Sequence, residues 1–181
     1  MKNYLFPLFI LPALSILCAF GLKNTAEWNI KSDYSVAFEG NRVSGVFEQF
    51  EGKIQFDSLQ LDQSSFDLQV KTSSIETGKD LMNTHAKSED WLDAENHPII
   101  RFQAVKFKKR GELFIAYGSL TLHGITQEIA IPFTFKNNVI ETKFEIKRSD
   151  FNIGATTGLS KNVAPTLELN VRVPVEIKKG K

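Results

Sequence analysis

Residues 167–177 read LELNVRVPVEI, and every second position carries an apolar group: Leu167, Leu169, Val171, Val173, Val175 and Ile177. Side chains of a strand alternate between two faces, so this stretch predicts one long strand with a single apolar face. The same alternation recurs upstream. It appears at Trp28 and Ile30, at Tyr34, Val36 and Phe38, at Val43, Gly45 and Phe47, and at Ile54 and Phe56. Phe66, Leu68 and Val70 make another set, followed by Ile129, Ile131, Phe133 and Phe135, then Ile140, Phe144 and Ile146. Ile100 and Phe102 open a run whose phase slips by Val105 and Phe107. One extra residue in a strand produces that slip, so a bulge is expected there. Residues 113–122 carry apolar groups on both faces. Turn formers separate the runs at Glu39-Gly40-Asn41, Glu51-Gly52, Arg110-Gly111, His123-Gly124 and Asn137-Asn138. About eight short-connected strands imply an antiparallel meander, and a sheet of that size hides its edges best by closing into a barrel. The expected class is all-β, an eight-stranded antiparallel barrel.

One segment breaks the pattern. Residues 78–97, GKDLMNTHAKSEDWLDAENH, lack alternation and are rich in helix formers. They predict a short helical insert around residues 79–93, with Ser88 placed to cap a second short turn.

The ends and the composition narrow the functional class. After Lys2, residues 5–20 (LFPLFILPALSILCAF) carry no charge. This is the pattern of a signal peptide, and it is short for a membrane span of about 20 residues. Ala19-Phe20-Gly21 offers a small-residue cleavage site, so residues 1–21 are read as the signal and 22–181 as a single exported domain, an uncleaved anchor and a lipid-modified Cys18 being the alternatives. Cys18, the sole cysteine of the chain, would leave with the signal, which suits an oxidising compartment. The 181 residues hold 22 basic and 21 acidic side chains. No basic excess exists to drive nucleic-acid binding. His85, His97 and His123 lack the spacing of a metal motif, and no G-x-S-x-G nucleophile elbow occurs. The reading is a non-enzyme with no metal centre.

Four segments in order resemble the YceI-like family of lipocalin-like, exported, polyisoprenoid-binding proteins. VSGVFEQFEGKIQFD, residues 43–57, is similar to that family's G-x-F-x-x-F-x-G-x-I-x-F-D pattern. Residues 73–102 match its S-I-x-T-G, short helix and S-x-D-W-x-D through Thr77, Gly78, His85, Ser88, Asp90, Trp91, Asp93, Pro98 and Phe102. GSLTLHGITQEIAIPFTF, residues 118–135, and RSDFNIG, residues 148–154, complete the likeness. Many members carry a polar pair such as Lys-His soon after the first strand, where this chain has Glu39-Gly40-Asn41-Arg42. Arg42 is the expected source of a comparable positive charge.

The resemblance implies a lipocalin-like barrel with an elongated apolar cavity. It further implies an isoprenoid-tailed ligand of polyprenyl phosphate or quinone type, held for carriage, storage or sequestration in the periplasm or cell envelope. No covalent cofactor follows from it. The candidate wall residues are Phe38, Phe47, Phe50, Phe56, Phe102 and Phe133, with Arg42, His85, Trp91 and Arg148 at wall or mouth. Arg42, Arg101 and Arg148 could grip a phosphate, since a guanidinium makes paired hydrogen bonds to it. A packed core would use the same rings, so a non-catalytic envelope interaction module with a filled core is the competing reading. Trp91 and His85 equally suit packing of the insert. The two-faced segment 113–122 allows a homodimer, and a lipid ligand allows transient contact with a membrane surface.

Overall fold

Strand β11 (Thr166–Ile177) is the seam of the molecule. The computed structural model describes residues 25–154 and 163–179; the expected signal segment and Cys18 lie outside the described residues. Along one edge β11 pairs antiparallel with β10 (Val139–Lys147), from Val139 opposite Pro174 to Lys147 opposite Thr166. Along its other edge it pairs first with β2 (Ser35–Gly40) and then with β1 (Glu27–Ile30). The remaining wall is β3 (Val43–Phe47), β4 (Phe50–Gln55), β5 (Ser65–Lys71), β6 (Ile75–Glu76), β7 (Ile99–Arg110), β8 (Leu113–Leu122) and β9 (Ile125–Lys136). All pairings are antiparallel: β4 joins β1 to β5, β3 joins β2 to β6, β7 follows β5, and β7 to β10 pair in chain order. β1 with β2, β3 with β4, and β5 with β6 are halves of three bent wall strands, so the ring is an eight-stranded closed antiparallel barrel. The helix α1 (Asp80–Lys87) sits between β6 and β7.

The bends have a specific cause. Tyr34, in the break between β1 and β2, donates its hydroxyl to the Glu48 carbonyl at 2.8 Å and accepts from Phe50 N–H at 3.1 Å. Its ring meets Phe50 edge-on at 5.4 Å. Ser74 then accepts Glu48 N–H through its carbonyl at 3.0 Å and Gln49 N–H through its hydroxyl at 3.1 Å. Polar groups released where the ladder breaks are thus satisfied in place. Gly45 makes the close packing possible. A Cβ there would lie 2.4 Å from the Glu76 carbonyl and 2.7 Å from the Phe38 ring.

The phase slip is a bulge. Ala104 faces Gly118 and Lys106 faces Tyr117, leaving Val105 between them without a partner and largely exposed. The Glu51-Gly52 pair is not a turn: Gly52 lies inside β4, opposite Leu68. Ser88 opens the expected second turn, but with its carbonyl, which accepts Trp91 N–H at 3.0 Å and Asp93 N–H at 2.9 Å; its hydroxyl instead donates back to the His85 carbonyl at 2.7 Å, where α1 ends. The apolar outer face of β8 is covered in part by lysines, with the Lys106 and Lys108 ammonium groups 5.6 and 5.7 Å from the Tyr117 ring centre.

Connections alternate between two ends. One end carries the tight turns at 111–112 and 137–138 and the loop 57–64. It is filled with rings. Phe56 is 1% exposed and has Phe66, Phe107, Phe114, Phe133 and Phe135 at 5.1–6.1 Å. Trp28 closes this plug, donating its indole N–H to the Phe56 carbonyl at 2.9 Å. Replacing Phe56 by Ala leaves a ring-sized hole among groups that cannot all collapse. The expected loss is about 3–5 kcal/mol, read as a lower urea midpoint at an unchanged slope.

Candidate ligand cavity

Above the plug the inward residues become smaller. Phe66 and Phe133 form a floor, and beside them Ala116, Ile131, Ile140 and Val173 leave space that rings would fill. Toward the other end Leu68, Val70, Phe102, Leu120, Leu122 and Leu169 continue the wall. The enclosed volume is about 410 Å³. That lies within the range of about 300–1,000 Å³ typical of small-molecule sites. The barrel interior is therefore not filled throughout, and the filled-core expectation does not describe it.

Polar residues in the lining are few: Arg42, Thr77, His85, Thr142 and Arg148. Thr142 donates its hydroxyl to the Pro132 carbonyl at 2.6 Å, and Thr77 donates to Asn83 Oδ1 at 2.7 Å. Arg148 is buried. Its guanidinium donates to the carbonyls of Ala164, Ile153 and Val163 at 2.7, 2.8 and 3.0 Å. It also lies over the Trp91 ring at 5.5 Å. Burial pushes its pKa down from the ordinary arginine value. Arg148 thus ties the segment before β11 to the short 3₁₀ turn Arg148–Phe151, and its donors serve the fold. Arg42 and His85 are exposed at the rim and make no side-chain hydrogen bond among the described residues, which leaves their nitrogens open to a ligand head.

Most of the expected wall comes together. Phe38, Phe47, Phe50, Phe102 and Phe133 line the cavity, with Arg42, His85, Trp91 and Arg148. Phe56 does not, because it lies in the plug below the floor. Arg101 faces outward, where it grips the Asp67 carboxylate through two hydrogen bonds of 2.8 and 2.7 Å. That bond holds Asp67 below the usual carboxylate range. Its place between Ile100 and Phe102 already implies the outer face by alternation.

The insert is fastened by a clasp that sequence spacing did not single out. Glu76 ends β6. Its Oε1 accepts Gly78 N–H at 2.6 Å and its Oε2 accepts the Asn83 amide at 2.8 Å. Asn83, buried on α1, returns its Oδ1 to Thr77 N–H at 2.8 Å. The visible signal was a polar residue midway through an amphipathic helix, close after an acidic strand end. Met82, His85 and Ala86 of this clasped helix meet the cavity.

A closed eight-stranded barrel with an apolar chamber open at one end defines a lipocalin-like binding fold. Residues 26–176 match the YceI-like domain model, and the chain belongs to that family. A UPF0312 protein of Pseudomonas putida is 29% identical over 175 residues, covering 87% of this chain and 90% of the relative. Protein YceI of Salmonella arizonae is 26% identical over 162 residues, covering 80% and 85%. Among solved structures, Burkholderia cenocepacia BcnA superposes with a TM-score of 0.73 at 24% identity, covering 79% of this chain and 96% of that one. A polyisoprenoid binding domain from Saccharophagus degradans, implicated in plant cell wall breakdown, does so at 0.65 and 13% identity, covering 83% and 98%.

The clasp carries a pH signature. The Asn83 amide first, then Gly78 N–H, hold the Glu76 carboxyl below the ordinary glutamate value. A carboxyl depressed in the folded state stabilises the fold above its unfolded pKa, and that contribution is lost as pH falls through the folded pKa. The Asn83 side-chain amide resonances should therefore titrate with a midpoint below the usual glutamate value of about 4.3. In Glu76→Gln that titration should vanish.

Proposed function

We propose that this chain is an exported, non-catalytic lipid-binding protein of the periplasm or cell envelope. It holds an isoprenoid-tailed ligand, of polyprenyl phosphate or quinone type, for carriage, storage or sequestration. The observation that carries this reading is the apolar chamber of about 410 Å³, walled by aliphatic and aromatic groups and closed at one end by rings. An isoprenoid tail is insoluble in water, and burying it yields roughly 0.8 kcal/mol per CH₂. The tail enters first and stops at the Phe66–Phe133 floor. Arg42 and His85 stay at the rim with the head, where a guanidinium suits a phosphate and either group suits a quinone oxygen. The polyisoprenoid binding of the Saccharophagus degradans neighbour, and the family itself, support the same ligand class. Loading and unloading call for brief contact between the rim and a membrane surface.

The deciding experiment is native mass spectrometry on protein purified from residue 22 onward out of a host that makes such lipids. A stoichiometric excess mass is expected, released by organic solvent and fragmenting with isoprenoid spacing. A bare mass overturns the reading. A second test uses the depth of the chamber. Ala116, 1% exposed beside the floor, gives room that a ring would occupy. Ala116→Phe should shift the bound population toward shorter tails while the circular dichroism stays unchanged.

A further inference from the structure

Two turn histidines, far apart in the chain, meet at the rim end outside the chamber. His97 closes the loop that follows α1, and His123 stands in the β8–β9 turn. Their rings cross at 84° with centres 5.2 Å apart. Asp93, buried midway along the same loop, brings its Oδ2 to 3.8 Å from His97 Nε2. One donor atom from each of Asp93, His97 and His123 lies within 4.8 Å of the other two.

We propose that Asp93, His97 and His123 form a binding site for a divalent zinc-type ion that pins the helical insert to the β8–β9 turn. Two imidazoles and one carboxylate, with a water in the fourth position, are a donor set that suits Zn²⁺. Zinc–donor bonds of about 2.0–2.2 Å need the three donors to draw in by roughly an ångström. The supporting contacts are those expected around metal ligands. His123 Nδ1 is 3.0 Å from the Phe151 carbonyl, which can only accept, so Nδ1 carries the proton and Nε2 keeps its lone pair. Both Asp93 oxygens accept from the Asn96 amide at 3.0 Å. The His97 backbone is fixed on both sides. Its N–H donates to the Asp93 carbonyl at 2.7 Å, and its carbonyl accepts the Thr72 hydroxyl at 2.6 Å. The His97 ring lies on the bare backbone of Gly124, where a Cβ would stand 2.6 Å from it. Gly124 also has φ of +72°, so the turn is built twice over around a glycine. A plain ion pair between Asp93 and His97 would draw Nε2 closer than 3.8 Å and would have no use for His123.

The test is calorimetric titration of Zn²⁺ into the chelator-treated chain, backed by the visible d–d spectrum of the Co²⁺ form. One ion per chain is expected, with a tetrahedral Co²⁺ spectrum. Asp93 and His123 both hold positive φ, at 44° and 51°, a conformation asparagine tolerates. Asp93→Asn and His123→Asn therefore keep the fold while removing a ligand. Each should weaken Zn²⁺ binding more than about a hundredfold, since losing even a group that only orients a ligand costs about 10–100-fold. Added Zn²⁺ should slow hydrogen exchange across residues 88–97 in the parent chain and not in the variants. Absence of binding up to millimolar Zn²⁺, binding in both variants as tight as in the parent, or loss of binding in His85→Gln alone would overturn the assignment. None of these readouts depends on what fills the chamber.

Discussion

The double pairing of β11 is the interaction on which the rest of the structure depends. One edge meets β10 and the other meets the two halves of the first wall strand, so the sheet has no free end at its seam. Closure fixes the width of the interior. An eight-stranded barrel is wide enough either to be filled by side chains or to admit one slender ligand. Side-chain size at each level then decides between filling and leaving room. Rings accumulate around Phe56 at one end, and Ala116, Ile131 and Val173 follow above. The chamber is the difference between a constant width and a falling side-chain volume.

The rim is built from segments that cannot follow the ladder. The insert reaches back to β6 through Glu76 and Asn83. The chain before β11 is drawn in by the Arg148 guanidinium, which donates to the Ala164 and Val163 carbonyls. Each buried polar group of this end has its partner in the backbone or in another side chain, as a low-dielectric site demands. Of the polar residues that line the chamber, Arg42 and His85 are the exposed ones, and this contrast separates residues that hold the rim from residues able to greet a ligand.

Much of this was legible because period-two alternation survives burial. It marks which residues face inward, and the phase slip at Val105 located the bulge. The face of Arg101 was legible too, since it lies between two inward neighbours. Alternation is silent about height along the barrel axis. Phe56 and Phe133 read alike, yet one lies wholly in the plug and the other forms the chamber floor. Local turn chemistry also misled. Gly52 looked like a loop residue but sits in β4 with its bare backbone 2.3 Å, from an imagined Cβ, to the Asp67 carbonyl. Ser88 was expected to cap the following turn with its side chain, yet its hydroxyl serves the end of α1 and only its carbonyl opens that turn. The pairing of His97 with His123 left no spacing signal at all, because the topology makes that contact across separate turns.

The seam also sets an order of events. With the bent wall strands counted whole, every other joint in the ring links strands that follow one another along the chain, so a meander from β1 to β10 can form from local hairpins. The last joint pairs Trp28 with Ile177, near the two extremes of the described chain. Until β11 arrives, the sheet has two raw edges and an uncovered apolar face, the state most open to pairing with a neighbour. Closure over so long a separation is slow among small domains. A chain shortened at its C-terminus would therefore lose its wall, its chamber and its protection from self-association in one step.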